Sequence, residues 1–243
     1  MKAIGLDIGG TKIEAQVFDA DWQVAERRRI ATPSVYPDLV SAVAAQIAWA
    51  EGVAGIRPIG ISSAGLINPA TGLALTANLC ATGKPFPADI EAASGRKVTF
   101  VNDCRAFTLS EATLGAGREA ASVAGLILGT GVGGGFALGG RLIGGHANIG
   151  GEFGHAPLPA DLIVKHDLPV VACGCGRNGC VETLVSGPGL TRIADRITGR
   201  PMTPIEIVDA RQTDEAVAQV WAIWCALVAE TMMLLVTTVD PEL

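Results

Sequence analysis

The sequence predicts an α/β protein made of two similar halves. The chain opens twice on one scheme: a strand, a glycine-rich turn bearing a threonine, then a second strand. The first copy is GLDIGGTKI from Gly5 and the second is LILGTGVGGGF from Leu126. Stretches with helical spacing follow each copy. The division is expected near residues 115–121. It gives an N-terminal α/β domain over 1–117 and a C-terminal one over 118–243.

Residues 2–8 (KAIGLDI) read as a strand ending at Gly9-Gly10, and residues 13–18 (IEAQVF) as its hairpin partner, with the turn over 9–12. Residues 37–51 place Leu39, Val43, Ile47 and Ala50 on one helical face, and Pro37-Asp38 suits a helix start. Residues 58–62 and 97–101 read as buried strands. A helix follows over about 105–114, stopped by Gly115-Ala116-Gly117. Strands are expected over 123–128 and from Phe136, with a glycine turn over 129–135 between them. A glycine-rich connection covers 138–154, and residues 156–172, with Pro157, Pro159 and Pro169, are expected to be irregular. Helices are expected over 187–198, 203–211 and 213–236.

Composition excludes several classes. The chain has 243 residues and a formal net charge of −6, which argues against a nucleic-acid coat, because phosphate binding needs clustered Lys and Arg. Charged residues are 17% and hydrophobic ones 49%, which excludes a disordered chain and suggests broad buried faces. The 31 glycines follow no three-residue repeat. The N-terminus, MKAIGLDIGG, has no apolar signal region. Residues 217–239 are long and apolar enough to span a bilayer, but Glu230 sits in the middle, so a buried helix is expected there. The readings are accordingly a cytoplasmic protein with no membrane and no nucleic-acid partner. Of six cysteines, Cys80, Cys104 and Cys225 are scattered and read as small core residues. His146 and His166 read as surface residues.

Five motifs carry chemistry. Residues 7–12 (DIGGTK) bring a strand-end carboxylate, a glycine turn, a hydroxyl and an amine together, as a phosphate-cradling hairpin requires; an ordinary hairpin turn has the same look. Asp7 could hold Mg²⁺ through water. Residues 129–135 contain G-x-G-x-x-G, but strand residues follow instead of a helix, so a second phosphate hairpin suits them better than a dinucleotide fold. Asn102-Asp103 lies at a strand end and a helix start, which fits either helix capping or a general base. Cys173, Cys175 and Cys180, with His155 upstream, have the donor set of a closed tetrahedral zinc site, structural and not catalytic; free core thiols are the alternative. Glu152 and Glu182 lie beside that knot, suited to sugar hydroxyls or to solvated loops.

Together these motifs resemble the ROK family of sugar kinases, within the actin-like/hexokinase/Hsp70 ATPase superfamily. The signs are GLDIGGTK at 5–12, ND at 102–103, LGTGVGGG at 128–135, GEFGH at 151–155 and CGCGRNGCVE at 173–182, in the family's order and over essentially the whole chain. TGKPFPADI at 82–90, GGEFGHAPLP at 150–159 and CGCGRNGCVETLVSG at 173–187 are most similar to the family's bacterial N-acetylglucosamine kinases. The resemblance implies two ribonuclease H-like halves and transfer of the ATP γ-phosphate to the 6-hydroxyl of N-acetyl-D-glucosamine or a related sugar. It implies Asp103 as general base, with Gly65, Asn78, Asn102, Asp103, Glu152, His155 and Glu182 around the sugar. ATP would be held by Gly5, Leu6, Asp7, Ile8, Gly9, Gly10, Thr11 and Lys12, and by Gly131, Val132, Gly133, Gly134, Gly135, Phe136, Ala137 and Leu138. Mg²⁺ would accompany ATP. Zn²⁺ on His155, Cys173, Cys175 and Cys180 would order the sugar loop, and a homodimer is expected.

The sequence departs from the family pattern twice. Its sugar-side Pro-Gly is Ala64-Gly65 here. Family members also continue past Val239-Asp240-Pro241-Glu242-Leu243 into a further strand, an adenosine-binding turn and closing helices, so the resemblance implies a missing C-terminal part. The competing readings are a zinc-stabilised sugar-binding protein without kinase activity, and a glucokinase, fructokinase or N-acetylmannosamine kinase of the same family. The family's repressors carry an N-terminal helix-turn-helix ahead of the phosphate motif, which here begins at Gly5.

Overall fold

Strand β1 (Ala3–Ile8) buries Ile4, Leu6 and Ile8, the alternation that a half-buried strand requires. It turns over at Gly9 and returns as β2 (Lys12–Phe18), antiparallel from Ile8↔Ile13 to Ala3↔Phe18. The computed structural model describes residues 1–76 and 78–243. β3 (Val24–Ala31) extends the sheet on its outer edge. The sequence reading missed this strand, because AERRR alternates in no way and is exposed throughout. Charged residues on an edge strand discourage pairing with another chain.

α1 (Tyr36–Ala54) buries Leu39, Val43, Ile47 and Ala50, the expected face. It carries the chain across the sheet to β4 (Ile59–Ser63), parallel to β1. A small hairpin follows, β5 (Leu66–Ile67) with β6 (Ala74–Leu75). α2 (Phe86–Ser94), another element the sequence reading missed, starts on a proline-flanked turn and leads to β7 (Thr99–Asn102), parallel to β4. Its Asp89 Oδ2 accepts a 2.6 Å hydrogen bond from Tyr36 Oη, which ties the two helices together. The sheet order is β3-β2-β1-β4-β7. Its core is Ile4, Ile13, Leu39, Ile47, Ile61 and Phe86 with their neighbours.

α3 (Asp103–Thr113) continues directly from β7. The antiparallel strands β8 (Ser122–Leu128), β9 (Val132–Leu138) and β10 (Arg141–Leu142) form a second sheet. The glycine turn expected over 129–135 is shorter than that: β9 begins at Val132 and takes in Gly133, Gly134 and Gly135. α4 (Ala160–Lys165) interrupts the stretch expected to be irregular, a six-residue helix entered from Pro159. α5 (Glu182–Val185), α6 (Gly187–Thr198), α7 (Pro204–Ala210) and α8 (Glu215–Val239) complete the chain. Their starts are fixed by local caps: Ser186 on α6, a Thr203–Glu206 capping box on α7, and Asp214 on α8. Val132, Leu184, Ile193, Ile207 and Leu227 are buried together.

α8 is buried on one stripe only, Val217, Val220, Ile223, Leu227, Thr231 and Leu235. Its length and composition would suffice to cross a membrane. Met232, Met233, Leu234 and Val236 are exposed on it, so the helix expected to be buried is buried along that stripe and not around its circumference. Cys225 lies off the buried stripe and is exposed, a correction to its core assignment, whereas Cys80 and Cys104 are half-buried.

Two compact units emerge, Met1–Ala106 with Gly145–Ile149, and Phe107–Gly144 with Gly150–Leu243. The sequence division at Gly117 lies past the end of α3 at Thr113; the compact units part within that helix.

Candidate active site

One cluster of polar side chains lies in each unit. In the first, the parallel strands β1, β4 and β7 end level, with Asp7 beside Ser62 and Ser63 beside Asn102. The carboxyl ends of such strands are where open α/β sheets bind ligands. Ser62 Oγ donates to Asp7 Oδ1 at 3.3 Å, a partner that register alone reveals. Asn102 Oδ1 accepts from the backbone N–H of Cys104 at 3.0 Å and of Arg105 at 3.3 Å, so Asn102 caps α3. Its Nδ2 donates to Gly65 O at 3.1 Å and to Asp103 Oδ1 at 3.0 Å. Asp103 Oδ1 also accepts from Cys104 N–H at 2.9 Å. Capping and presentation of a carboxylate are thus compatible: Asn102 caps α3, and together with the Cys104 N–H it holds Asp103 by Oδ1.

Burial at the strand ends raises the Asp7 carboxyl above the ordinary carboxylate range; the Ser62 hydroxyl opposes this, and the Asp103 charge adds to it. Two carboxylates in that relation suit a divalent cation. Leu6 and Ile8 are core side chains, so within residues 5–12 any phosphate contact would fall to the turn backbone and to Asp7, Thr11 and Lys12. A Cβ on Gly10 would lie 2.8 Å from Asn78 Cβ, so Asn78 meets the turn only because residue 10 is glycine.

In the second unit the turn at Gly129 closes through Gly129 N–H to Gly131 O at 2.9 Å. A Cβ on Gly134 would lie 2.7 Å from Phe153 Cδ2, and one on Gly154 2.9 Å from Val132 Cβ. These glycines therefore let the GEFGH segment lie flat on β9. Phe136, Ala137 and Leu138 sit toward the far end of β9, where it pairs with β10.

His155 ends a single 3-10 turn at Phe153–His155. Its Nδ1 is 3.5 Å from Cys173 Sγ, and Cys175 Sγ is 3.6 Å from Cys180 Sγ. The four donor atoms lie within 4.8 Å of one another. With Zn–S near 2.3 Å and Zn–N near 2.0 Å, the edges of a zinc tetrahedron are about 3.8 Å between sulfurs and about 3.5 Å from sulfur to nitrogen. The residues fit the ion. In the metal-free protein burial pushes the Cys173 thiol up to about 12 and raises Cys180, whereas the Arg177 backbone N–H holds Cys175 down. A dication would deprotonate all three.

His155 Nε2 is 3.9 Å from Glu152 Oε2. Glu182 Oε1 accepts from Cys173 Sγ at 3.0 Å, while Oε2 accepts from Val132 N–H at 3.4 Å. Glu182 therefore spans from the thiol knot to the start of β9, a structural link that its sequence position did not disclose.

The model of the ROK family matches residues 3–243. The chain belongs to the ROK family. It is 37% identical over 243 residues to the N-acetylgalactosamine kinase AgaK of Shewanella sp. (strain ANA-3), covering 98% of this chain and 79% of that protein. It is 38% identical over 245 residues to the N-acetyl-D-glucosamine kinase of Pectobacterium atrosepticum, with coverages of 98% and 81%. Among solved structures, the ROK hexokinase from Thermus thermophilus superposes with a TM-score of 0.87 at 34% identity, covering 100% of this chain and 80% of that one. A ROK glucokinase from Streptomyces griseus, solved with glucose and AMPPNP, gives 0.77 at 28% identity, with coverages of 99% and 80%. This ROK-family chain thus has the actin-like ATPase fold and spans about 80% of the length of these relatives.

Proposed function

We propose that this ROK-family sugar kinase transfers the γ-phosphoryl group of ATP to the 6-hydroxyl of N-acetyl-D-glucosamine. The observation that carries the reading is Asp103, a carboxylate held through Oδ1 by Asn102 and Cys104 at the carboxyl ends of the parallel strands. The similarity to N-acetylhexosamine kinases supports the sugar class.

In this reading Asp103 accepts the hydroxyl proton as the oxygen attacks the γ-phosphorus and the bond to ADP breaks. Backbone N–H groups of the two glycine turns cradle the phosphates. Asp7 would hold Mg²⁺, which would supply positive charge against the phosphates when bound. Asn78, Asn102, Glu152, His155 and Glu182 hold the sugar hydroxyls, and Gly65 allows its loop to approach. His155, Cys173, Cys175 and Cys180 would hold Zn²⁺, which would supply rigidity, since four protein ligands would leave it no open position for chemistry. The enzyme is read as a soluble cytoplasmic homodimer.

A second reading, N-acetyl-D-galactosamine as acceptor, is favoured by the similarity to AgaK. ADP release measured against a panel of hexoses and N-acetylhexosamines decides. The highest kcat/KM for N-acetyl-D-glucosamine supports the proposal; a preference for another sugar reassigns the substrate. Sugar binding with no ADP release points to a sugar-binding protein without turnover.

A further inference from the structure

A buried guanidinium in the turn that follows Asp103 has a partner far along the chain. Arg105 is 3% exposed. A charge so buried is stable only when well bonded. Its Nη1 donates to Asn148 Oδ1 at 2.7 Å. Asn148 in turn donates from Nδ2 to the Ile67 carbonyl at 3.3 Å. One end of Arg105 is thus fixed to Asn102 through its backbone N–H, and the other reaches Asn148.

Asn148 lies in the strap Gly145–Ile149, which counts with the first unit although the chain on either side belongs to the second. The strap is pinched at its root by Gly150 N–H to Gly144 O at 2.9 Å. Its other side chains contribute little burial: His146, Ala147 and Ile149 are exposed, Ile149 by 61%. Asn148 holds a left-handed φ of 56°, which asparagine tolerates better than most residues. With so little apolar surface covered, the strap is ordered by hydrogen bonds and not by core packing.

We propose that Arg105 and Asn148 form a positioning pair for the sugar site. It fixes the hairpin at Ile67, just after Gly65, to the strap that carries Asn148. Neither residue touches the reacting atoms. The proposal rests on the sugar-site reading above.

The test measures N-acetyl-D-glucosamine and ATP affinity by calorimetry on the full chain, with kcat and KM beside them. Asn148→Gly keeps the backbone conformation and removes both bonds. It is expected to weaken sugar binding about tenfold, with ATP affinity unchanged and kcat within about twofold; tenfold is about 1.4 kcal/mol. Asn148→Asp keeps the acceptor for Arg105 but loses the donor to Ile67, and is expected to fall between wild type and Asn148→Gly. Arg105→Met combined with Asn148→Gly is expected to lose less than the sum of the two single variants, since one bond is shared between them. A folded Asn148→Gly with wild-type sugar affinity overturns the proposal. So do equal losses for sugar and ATP, or an Asn148→Asp as weak as Asn148→Gly. Should Arg105→Met fail to fold, the two Asn148 variants still decide. Glu152→Gln separates the two levels: if it weakens sugar binding and Asn148→Gly does not, only the pair falls; if neither does, the sugar-site reading falls.

Discussion

His155 Nδ1 lies 3.5 Å from Cys173 Sγ, the sulfur-to-nitrogen edge of a zinc tetrahedron. That relationship joins a residue of the GEFGH segment to the cysteine knot, so removing metal should be felt at the sugar. Cys175→Ser is expected to lower zinc content, read by atomic emission, from about one per chain toward zero, and to weaken sugar binding about tenfold or more. Retained zinc, or zinc lost with sugar affinity intact, contradicts the coupling.

Asp103→Asn tests the base. The amide keeps the shape and the hydrogen bonds to Oδ1 but cannot accept the substrate proton. The expected result is a loss of kcat of about 10²–10⁴, with sugar affinity within about threefold. Turnover near the wild-type rate would remove Asp103 from the mechanism.

Asp7 predicts a pH-dependent stability. Its folded carboxyl is raised, chiefly by burial, with Asp103 adding to the effect. The folded state therefore holds this proton more tightly than the unfolded state. The resulting stability is full below the ordinary aspartate range and is lost as pH rises through the raised value. At neutral pH and without nucleotide, Asp7→Asn should raise Tm, and the gain should shrink as the pH falls through the raised value and vanish below the ordinary aspartate value of 3.8. The same variant should lose activity. A Tm difference independent of pH would show that Asp7 is not under this strain.

Gly65 has φ 107°, and a Cβ there would lie 2.9 Å from Thr76 Cα. Gly65→Ala is expected to cost about 1–3 kcal/mol of stability in denaturant unfolding and to raise the KM for sugar, since the Gly65 carbonyl is the one Asn102 holds. An unchanged midpoint would mean that the loop relaxes freely.

Much of this site was legible in the sequence because its chemistry is local. The knot spacing of Cys173, Cys175 and Cys180 and the pairing of Asn102 with Asp103 are short-range facts, and β1, β2 and α1 follow from periodicity in a half-buried environment. β3 and α2 were not legible, since an edge strand has no core side to alternate against and a short helix spans too few turns to show a period.

Residue order alone fixed the donor atoms, the glycine turns and the family. Folding decided which of them meet. Asn102 both caps α3 and steadies Asp103 because β4 and β7 end level, and Glu182 is drawn to Val132 and Cys173 rather than left in solvent. Arg105 finds Asn148 only after the intervening chain has folded back on itself. Spacing along a chain constrains neighbours within a few residues; which distant groups share a hydrogen bond depends on strand register and buried volume, and these exist only once the chain is packed.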